Sequence, residues 1–308
     1  MSQSISFAKH TRFLTRDGLT LRAEHWGDAD APLVLLVHGF PDTPQSWFGV
    51  ADRLVAAGYQ VLMPWLRGYT AASAMRSGSY DLLSCAKDLN AWCDALGQRH
   101  AHLVGHDWGA VLAQLAAHQR GGSSVQWLSI SLLAIPAFYP LLNSLNALPS
   151  VPKQLKLSSY MAHLQSAHAW RWVSARHAAW VEKTWRRWSP SWAFSRDDIA
   201  SARTVFSQPD MAWAATRYYR ALFTPWQANT RQAYALMSRA ITQPLLLLAG
   251  RDDGCMHADF HQRLARGLGT NATSIMLDGL GHFLQAESPR IVADEILAFI
   301  RAVDGLSS

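Results

Sequence analysis

Long apolar runs, paired cysteines and charge are all scarce in this sequence. No stretch of 18 or more uninterrupted apolar residues occurs, so no membrane-spanning helix and no membrane insertion are expected. The three cysteines, Cys85, Cys93 and Cys255, are odd in number and form no CxxC pair. That speaks against both a disulfide framework and a zinc cluster, and a reducing cytoplasm is the expected location. Met1 to Phe13 is polar and mixed, without the apolar run and small-residue cleavage site of a secretory signal. Charged residues make up only 16% of the 308, against ~25% in ordinary soluble domains. With 49% hydrophobic residues the chain is no disordered polymer. Its length suffices for a large core, as two domains or as one domain carrying an insertion.

The little charge present is unevenly placed. Between Pro136 and Ala235 there are 12 Lys/Arg against 4 Asp/Glu, a balance of +8, whereas the remainder holds 16 against 18, or −2. The same middle segment carries 8 of the 14 tryptophans. A shift of this size marks a stretch with its own character.

The first third alternates strands and helices. Arg12 to Trp26 alternates apolar and polar residues around Asp17-Gly18, a hairpin signal. Leu33 to Val37 is continuously apolar, as in a strand buried on both faces. Pro44, behind Thr43, is expected to open a helix with Trp47, Val50, Leu54 and Val55 on one face and Gly58 at its end. Further strands are expected at Gln60–Met63, His102–Gly105 and Val125–Ala134, with helices over Asp81–Leu96 and from Trp108 to about Arg120. The alternation breaks at Ile135-Pro136. It resumes with strands at Pro244–Ala249 and Thr273–Leu277 and a last helix behind Ser288-Pro289, with Val292, Ile296, Phe299 and Ile300 inward. Such spacing implies right-handed βαβ crossovers and a mostly parallel sheet. The expected plan is an α/β core over 1–135 and 241–308, split by a helical, Trp-rich cap over 136–240.

Gly105-His106-Asp107-Trp108-Gly109-Ala110 lies where a strand passes into a helix. Small residues at Gly105 and Gly109 suit a nucleophile elbow, in which a larger side chain would clash as the nucleophile is pushed outward. Aspartate stands where serine is usual. The plainer alternative is that Asp107 caps the helix beginning at Trp108.

With these residues the chain resembles the α/β-hydrolase superfamily, and most closely its epoxide hydrolases, which are hydrolases acting on ether bonds. The resemblance spans nearly the whole chain. It rests on His38-Gly39-Phe40-Pro41-Asp42, Arg67-Gly68-Tyr69, the elbow, Gly250-Arg251-Asp252-Asp253 and Gly281-His282-Phe283-Leu284, in that order. One departure is Trp65, where relatives usually carry Asp.

The nucleophile constrains the chemistry. A carboxylate attacking a saturated carbon forms an ester that water can cleave, whereas attack on an ester carbonyl would give an anhydride. The expected electrophile is therefore an epoxide or an alkyl halide. Among 13 histidines, His282 stands out as the base, since it follows the last strand on a Gly-flanked loop at the sheet end that bears the elbow. His106 reads as packing beside the elbow. No Asp or Glu occurs from Gly121 to Tyr160, so the orienting carboxylate falls to Asp252 or Asp253; the resemblance favours Asp253. Backbone N–H groups of Phe40 and Trp108 hold the two oxyanion positions, and Pro41 has no N–H to give.

An epoxide oxygen leaving as alkoxide needs an acid, and neutral tyrosine suits an apolar pocket. Among Tyr139, Tyr160, Tyr218, Tyr219 and Tyr234, the resemblance points to Tyr160, with Gln165 five residues on, and to Tyr219, directly before Arg220. Ala221 stands where the family often has Asn, so Tyr218 stays a substitute. His38, Pro41, Trp108 and Phe283 are expected to border the substrate pocket. The Trp/Arg-rich stretch from Ala169 to Trp188 could form a nucleic-acid or membrane-surface patch. It reads better as a lid helix with Trp inward and Arg solvated.

The expected protein is a monomeric or homodimeric enzyme without cofactor or metal. It takes a small apolar or aromatic epoxide and water, and no nucleic acid. A haloalkane dehalogenase would share Asp107, His282 and Trp108, but Phe40 lacks a side-chain halide donor. A fluoroacetate-type enzyme would want Arg beside the nucleophile. A non-catalytic receptor on the same fold would be free to lose the base or the acid.

Overall fold

A computed structural model describes residues 8–119, 123–143 and 147–305. Eight strands form one sheet: β1 (Lys9–Arg16), β2 (Leu19–Trp26), β3 (Leu33–Val37), β4 (Gln60–Pro64), β5 (His100–His106), β6 (Gln126–Leu133), β7 (Leu245–Gly250) and β8 (Ala272–Leu277). Their order is β1-β2-β4-β3-β5-β6-β7-β8. The hairpin β1/β2 turns at Asp17-Gly18, and β2 runs antiparallel to β4. Every contact from β4 to β8 is parallel. Parallel strands flanked by crossover helices lose both faces to the core, and every residue of β3, β4 and β7 is buried.

Strand order places the site. The chain steps from β3 outward to β4, then returns past β3 to β5, so the crossovers after β3 and β5 diverge. Beyond the C-terminal ends of these two strands lies the switch point at which open α/β sheets bind ligands. Residues His38-Gly39-Phe40 and His106-Asp107 emerge there.

Local chemistry accounts for some element ends. Asp81 caps the helix Leu82–Ala95 by accepting the Ser84 N–H. Pro44 opens a 3₁₀ turn, Pro44–Trp47, that leads into Phe48–Ala56, rather than a single helix. Thr43 does not cap it; its hydroxyl donates to Ser201. The elbow helix runs Trp108–Ala116, and Arg120 lies outside the described residues. The last helix, Pro289–Asp304, begins on proline without a Ser288 side-chain cap; Val292, Ile296 and Ile300 are buried, and Phe299 partly so.

Between β6 and β7 the described residues form helices and no strand. The principal helices are Val151–Leu157, Tyr160–Leu164, Ala169–Trp188, Arg196–Ser207, Pro209–Leu222 and Ala228–Met237. Ala169–Trp188 breaks at Ala175–Ala178, where Arg176, His177 and Ala178 take positive φ. Past the break, Trp185 and Trp188 are buried while Arg186 and Arg187 are exposed, so this stretch faces its indoles inward. The insertion shares one buried cluster with the sheet face beneath it, in which Phe40 and Trp108 meet Phe206 and Tyr219.

Candidate active site

Asp107 has φ +51° and ψ −117°, a conformation that non-glycine residues rarely hold. Neighbouring glycines make room for it. A Cβ on Gly39 would lie 2.4 Å from Asp107 Cβ, one on Gly105 would lie 2.2 Å from the Gly109 carbonyl, and one on Gly109 would lie 2.1 Å from the Val37 carbonyl. The turn is therefore a strained elbow between β5 and its helix. Asp107 does not cap that helix. Instead its Oδ1 accepts the Phe40 N–H at 2.8 Å, which leaves Oδ2 toward the imidazole of His282.

His282 is fully buried. Its Nδ1 shares a 2.8 Å hydrogen bond with Asp253 Oδ2, and its Nε2 lies 3.5 Å from Asp107 Oδ2 without a hydrogen bond. Burial by itself lowers the imidazole pKa, but the Asp253 and Asp107 carboxylates outweigh it and raise it to about 10. At neutral pH the ring is therefore the protonated imidazolium. Asp253 is anchored through Oδ1, which accepts the N–H groups of Cys255 (2.6 Å) and Met256 (2.8 Å). Asp252 turns outward to the Ser191 hydroxyl. Of the two acidic residues that the sequence left open, only Asp253 touches the histidine.

His106 packs beneath this assembly, its Nε2 bonded to the His282 carbonyl, and burial pushes its pKa down to about 3. Neutral and inward, it is a support rather than a base.

The two tyrosines of Pro209–Leu222 part company. Tyr218 donates to the Arg67 carbonyl at 2.9 Å. Tyr219, 1% exposed, makes no close hydrogen bond through its hydroxyl, whose polar neighbours are the Tyr160 hydroxyl and the Trp108 indole, and its ring packs edge-on against Trp108 and Phe40. Tyr160 reaches the same place from its own short helix, its hydroxyl 3.7 Å from Cys255 Sγ and its ring 5.8 Å from that of Tyr219. Burial drives both phenols well above their ordinary range, so they stay neutral. Gln165 ties the two segments together by donating to the Tyr219 carbonyl at 3.0 Å.

Asp107, Trp108, Tyr160 and Tyr219 line one cavity of about 400 Å³, whose other walls include Val111, Ile135, Phe138, Met237 and Phe260. Its size and apolar lining suit a small organic molecule. A larger surface groove, about 1030 Å³ between Arg16, Lys87, Gln119 and Gln243, holds none of these residues. Among the described residues no cluster of His, Cys, Asp and Glu could hold a metal ion.

Of the four residues expected to border the pocket, Trp108 does. His38 does not, because both ring nitrogens are spent on backbone, Nδ1 to the Gly39 carbonyl and Nε2 to the Leu66 N–H. Pro41 lies behind Phe40, its carbonyl accepting the Trp185 indole N–H at 2.9 Å. Phe283 is fully buried, stacked on Trp185 with ring centroids 4.3 Å apart. Trp65, the departure from the family pattern, donates its indole N–H to Glu24.

A support network escaped the sequence reading. The Ser189 hydroxyl accepts the N–H groups of His282 (3.0 Å) and Phe283 (3.2 Å) and donates to Glu287, which also accepts the Gly281 N–H at 2.8 Å. The Trp188 carbonyl accepts the N–H groups of both His282 and Gly254. One helix end of the insertion thus holds the acid loop and the histidine loop together. No local pattern around Ser189 signals this, because its partners lie about 100 residues away.

Comparison with known proteins adds relatives over nearly the full chain. Epoxide hydrolase A of Mycobacterium tuberculosis is 25% identical over 320 residues, covering 95% of this chain and 98% of the relative. An epoxide hydrolase of Caballeronia sordidicola is 28% identical, covering 96% and 94%. Among solved structures, the epoxide hydrolase CorEH superposes with a TM-score of 0.73 at 18% identity, covering 97% and 100%. A loop variant of the haloalkane dehalogenase DbeA from Bradyrhizobium elkanii superposes with a TM-score of 0.75 at 20% identity, covering 97% and 99%. A family model described as alpha/beta hydrolase fold matches residues 32–289. The eight-stranded sheet, the elbow and that match agree: this chain belongs to the alpha/beta hydrolase fold family.

Proposed function

We propose that the chain is an epoxide hydrolase, with 136–240 acting as a cap over a core formed by 1–135 and 241–308. The observation that carries this reading is the buried hydroxyl of Tyr219, which makes no close hydrogen bond and is set with Asp107 and Tyr160 in one apolar cavity. A neutral donor there has a task when a ring oxygen leaves as alkoxide.

Asp107 Oδ2 attacks a ring carbon, the C–O bond breaks, and Tyr160 and Tyr219 deliver a proton to the departing oxygen. The product is a hydroxyalkyl ester whose carbonyl oxygen is Oδ1, already held by the Phe40 N–H; Trp108 supplies the second oxyanion donor. Esterification removes the charge of Asp107 and with it part of what keeps His282 protonated. His282 then passes its proton to the tyrosinate and becomes free to take one from water. The hydroxide adds to the ester carbonyl, the adduct collapses, and the diol leaves with a proton from His282, which regains one from the Asp107 carboxylic acid. Asp253 keeps the ring oriented through Nδ1.

A second reading, haloalkane dehalogenation, draws on the Trp108 indole N–H, which is buried without a partner and lines the cavity. One experiment separates the two. In His282→Gln the ester on Asp107 accumulates, and intact-protein mass spectrometry reads it. An epoxide adds its whole mass, whereas a haloalkane adds its mass less the hydrogen halide. The full-mass adduct, mapped to the Asp107 peptide, is expected with an epoxide and no adduct with haloalkanes. If His282→Gln takes no label while wild type turns over an epoxide, the division of labour is wrong.

A further inference from the structure

Some of the large apolar side chains in solvent lie on the cavity lining or follow it directly along the chain. Leu155 both lines the cavity and is 65% exposed, which marks it as part of the mouth. Leu222 lines the cavity as well, and the chain that follows it carries Phe223 at 50% exposure and Trp226 at 72%. Isolated exposed apolar residues need no explanation, but several at a pocket mouth do.

The charge at this rim is mostly basic. Lys153 and Lys156 flank Leu155 on the helix Val151–Leu157, and both are exposed. Arg231 is also exposed and braces the loop, donating to the carbonyls of Pro225 and Trp226. Along the chain around these residues, 147–181 and 211–243, there is no Asp or Glu. Asp259, the carboxylate that faces Lys153, is held by Arg263 at 2.9 Å.

We infer that this rim docks the protein on an anionic lipid surface, with Trp226, Phe223 and Leu155 entering the headgroup boundary and Lys153, Lys156 and Arg231 meeting lipid phosphates. Aromatic and aliphatic side chains beside lysine and arginine are the composition that lies in such a boundary. A second copy of the chain fits less well, because an isologous contact sets each basic residue against the same basic set. The docking is peripheral, since no helix among the described residues is long and apolar enough to cross a membrane. It gives the cavity a use for its position: an apolar substrate dissolved in the bilayer enters at Leu155 without passing through water. That last step rests on the epoxide reading; the docking itself does not.

Sedimentation of the full chain with vesicles tests the inference without any turnover. Binding is expected to phosphatidylcholine vesicles containing phosphatidylglycerol, to be much weaker with phosphatidylcholine alone, and to fall as salt rises. Trp226→Ser, and separately Lys153→Glu with Lys156→Glu, should each weaken it by about tenfold or more. Trp226→Ser should leave hydrolysis of a small water-soluble epoxide unchanged, which shows that the variant is folded. Equal binding to both vesicle types, no binding to either, or binding indifferent to Trp226→Ser overturns the proposal. So does a dimer that Trp226→Ser dissociates in the absence of lipid, or a preference for nucleic acid over vesicles. If wild type binds anionic vesicles but cleaves no epoxide, the docking stands and the enzymatic reading falls.

Discussion

The sheet and the insertion contribute to one cavity in different ways. Asp107, Asp253 and His282 sit on turns directly beyond strands β5, β7 and β8, where glycines, backbone amides and a strained φ leave each carboxylate or imidazole little freedom. Tyr160 and Tyr219 sit on helices and are placed by side-chain packing against Trp108, Trp188 and Phe40. The difference suits their proposed tasks. Bond making needs a nucleophile and a base fixed to within a fraction of an ångström, whereas proton donation to an oxygen tolerates an adjustable hydroxyl. It also means that the sheet end can be broken by one atom, while the insertion degrades by steps.

Five predictions rank the two regions. Asp107→Ala should fold as wild type does and lose diol formation by about 10⁴-fold or more, as for removal of a nucleophile. Turnover near wild type would end the covalent scheme. On the insertion side, Tyr219→Phe and Tyr160→Phe should each slow ester formation by roughly 10²-fold, read by single-turnover mass spectrometry. Tyr218→Phe is the contrast. It should leave ester formation intact and instead cost about 1–2 kcal/mol of stability, because the Arg67 carbonyl loses its buried donor.

Ser189→Ala should act on the second half-reaction alone, slowing ester hydrolysis by about tenfold while ester formation stays unchanged. Equal slowing of both steps would make Ser189 a general packing residue. The last prediction concerns pH. Because folding raises the His282 pKa from 6.5 to about 10, the stability it contributes is fully present below about pH 6.5 and is lost as pH rises through about 10. Asp107→Asn removes one of the charges that raises this pKa. Its urea midpoint should therefore fall less than that of wild type between pH 7 and pH 10, and the imidazole titration followed by NMR should move down.

Much of the fold could be read along the chain because its signals are local. Strands β3, β4 and β7 coincide with apolar runs, and the elbow was visible in Gly105 and Gly109, whose close approach to neighbouring backbone leaves no room for a Cβ. Thr43, ahead of Pro44, does not cap the turn that follows, because its hydroxyl bonds Ser201 instead. His38 and Phe283 carry family motifs yet lie beneath the cavity. A motif reports what a loop needs for its shape as often as what a ligand touches.

What the sequence by itself determined was the order of strands and helices, the strained turn that presents Asp107, and the excess of basic charge between β6 and β7. These follow from side-chain volume, backbone freedom and periodicity over a few residues. The tertiary structure decided the rest. It chose Asp253 over Asp252, left Tyr219 free while tying Tyr218 to Arg67, and brought Ser189 and Glu287 beneath His282. Each of those choices depends on which way a side chain faces across a contact of about 30 to 150 residues in sequence separation, and that direction is set by packing, not by neighbours along the chain.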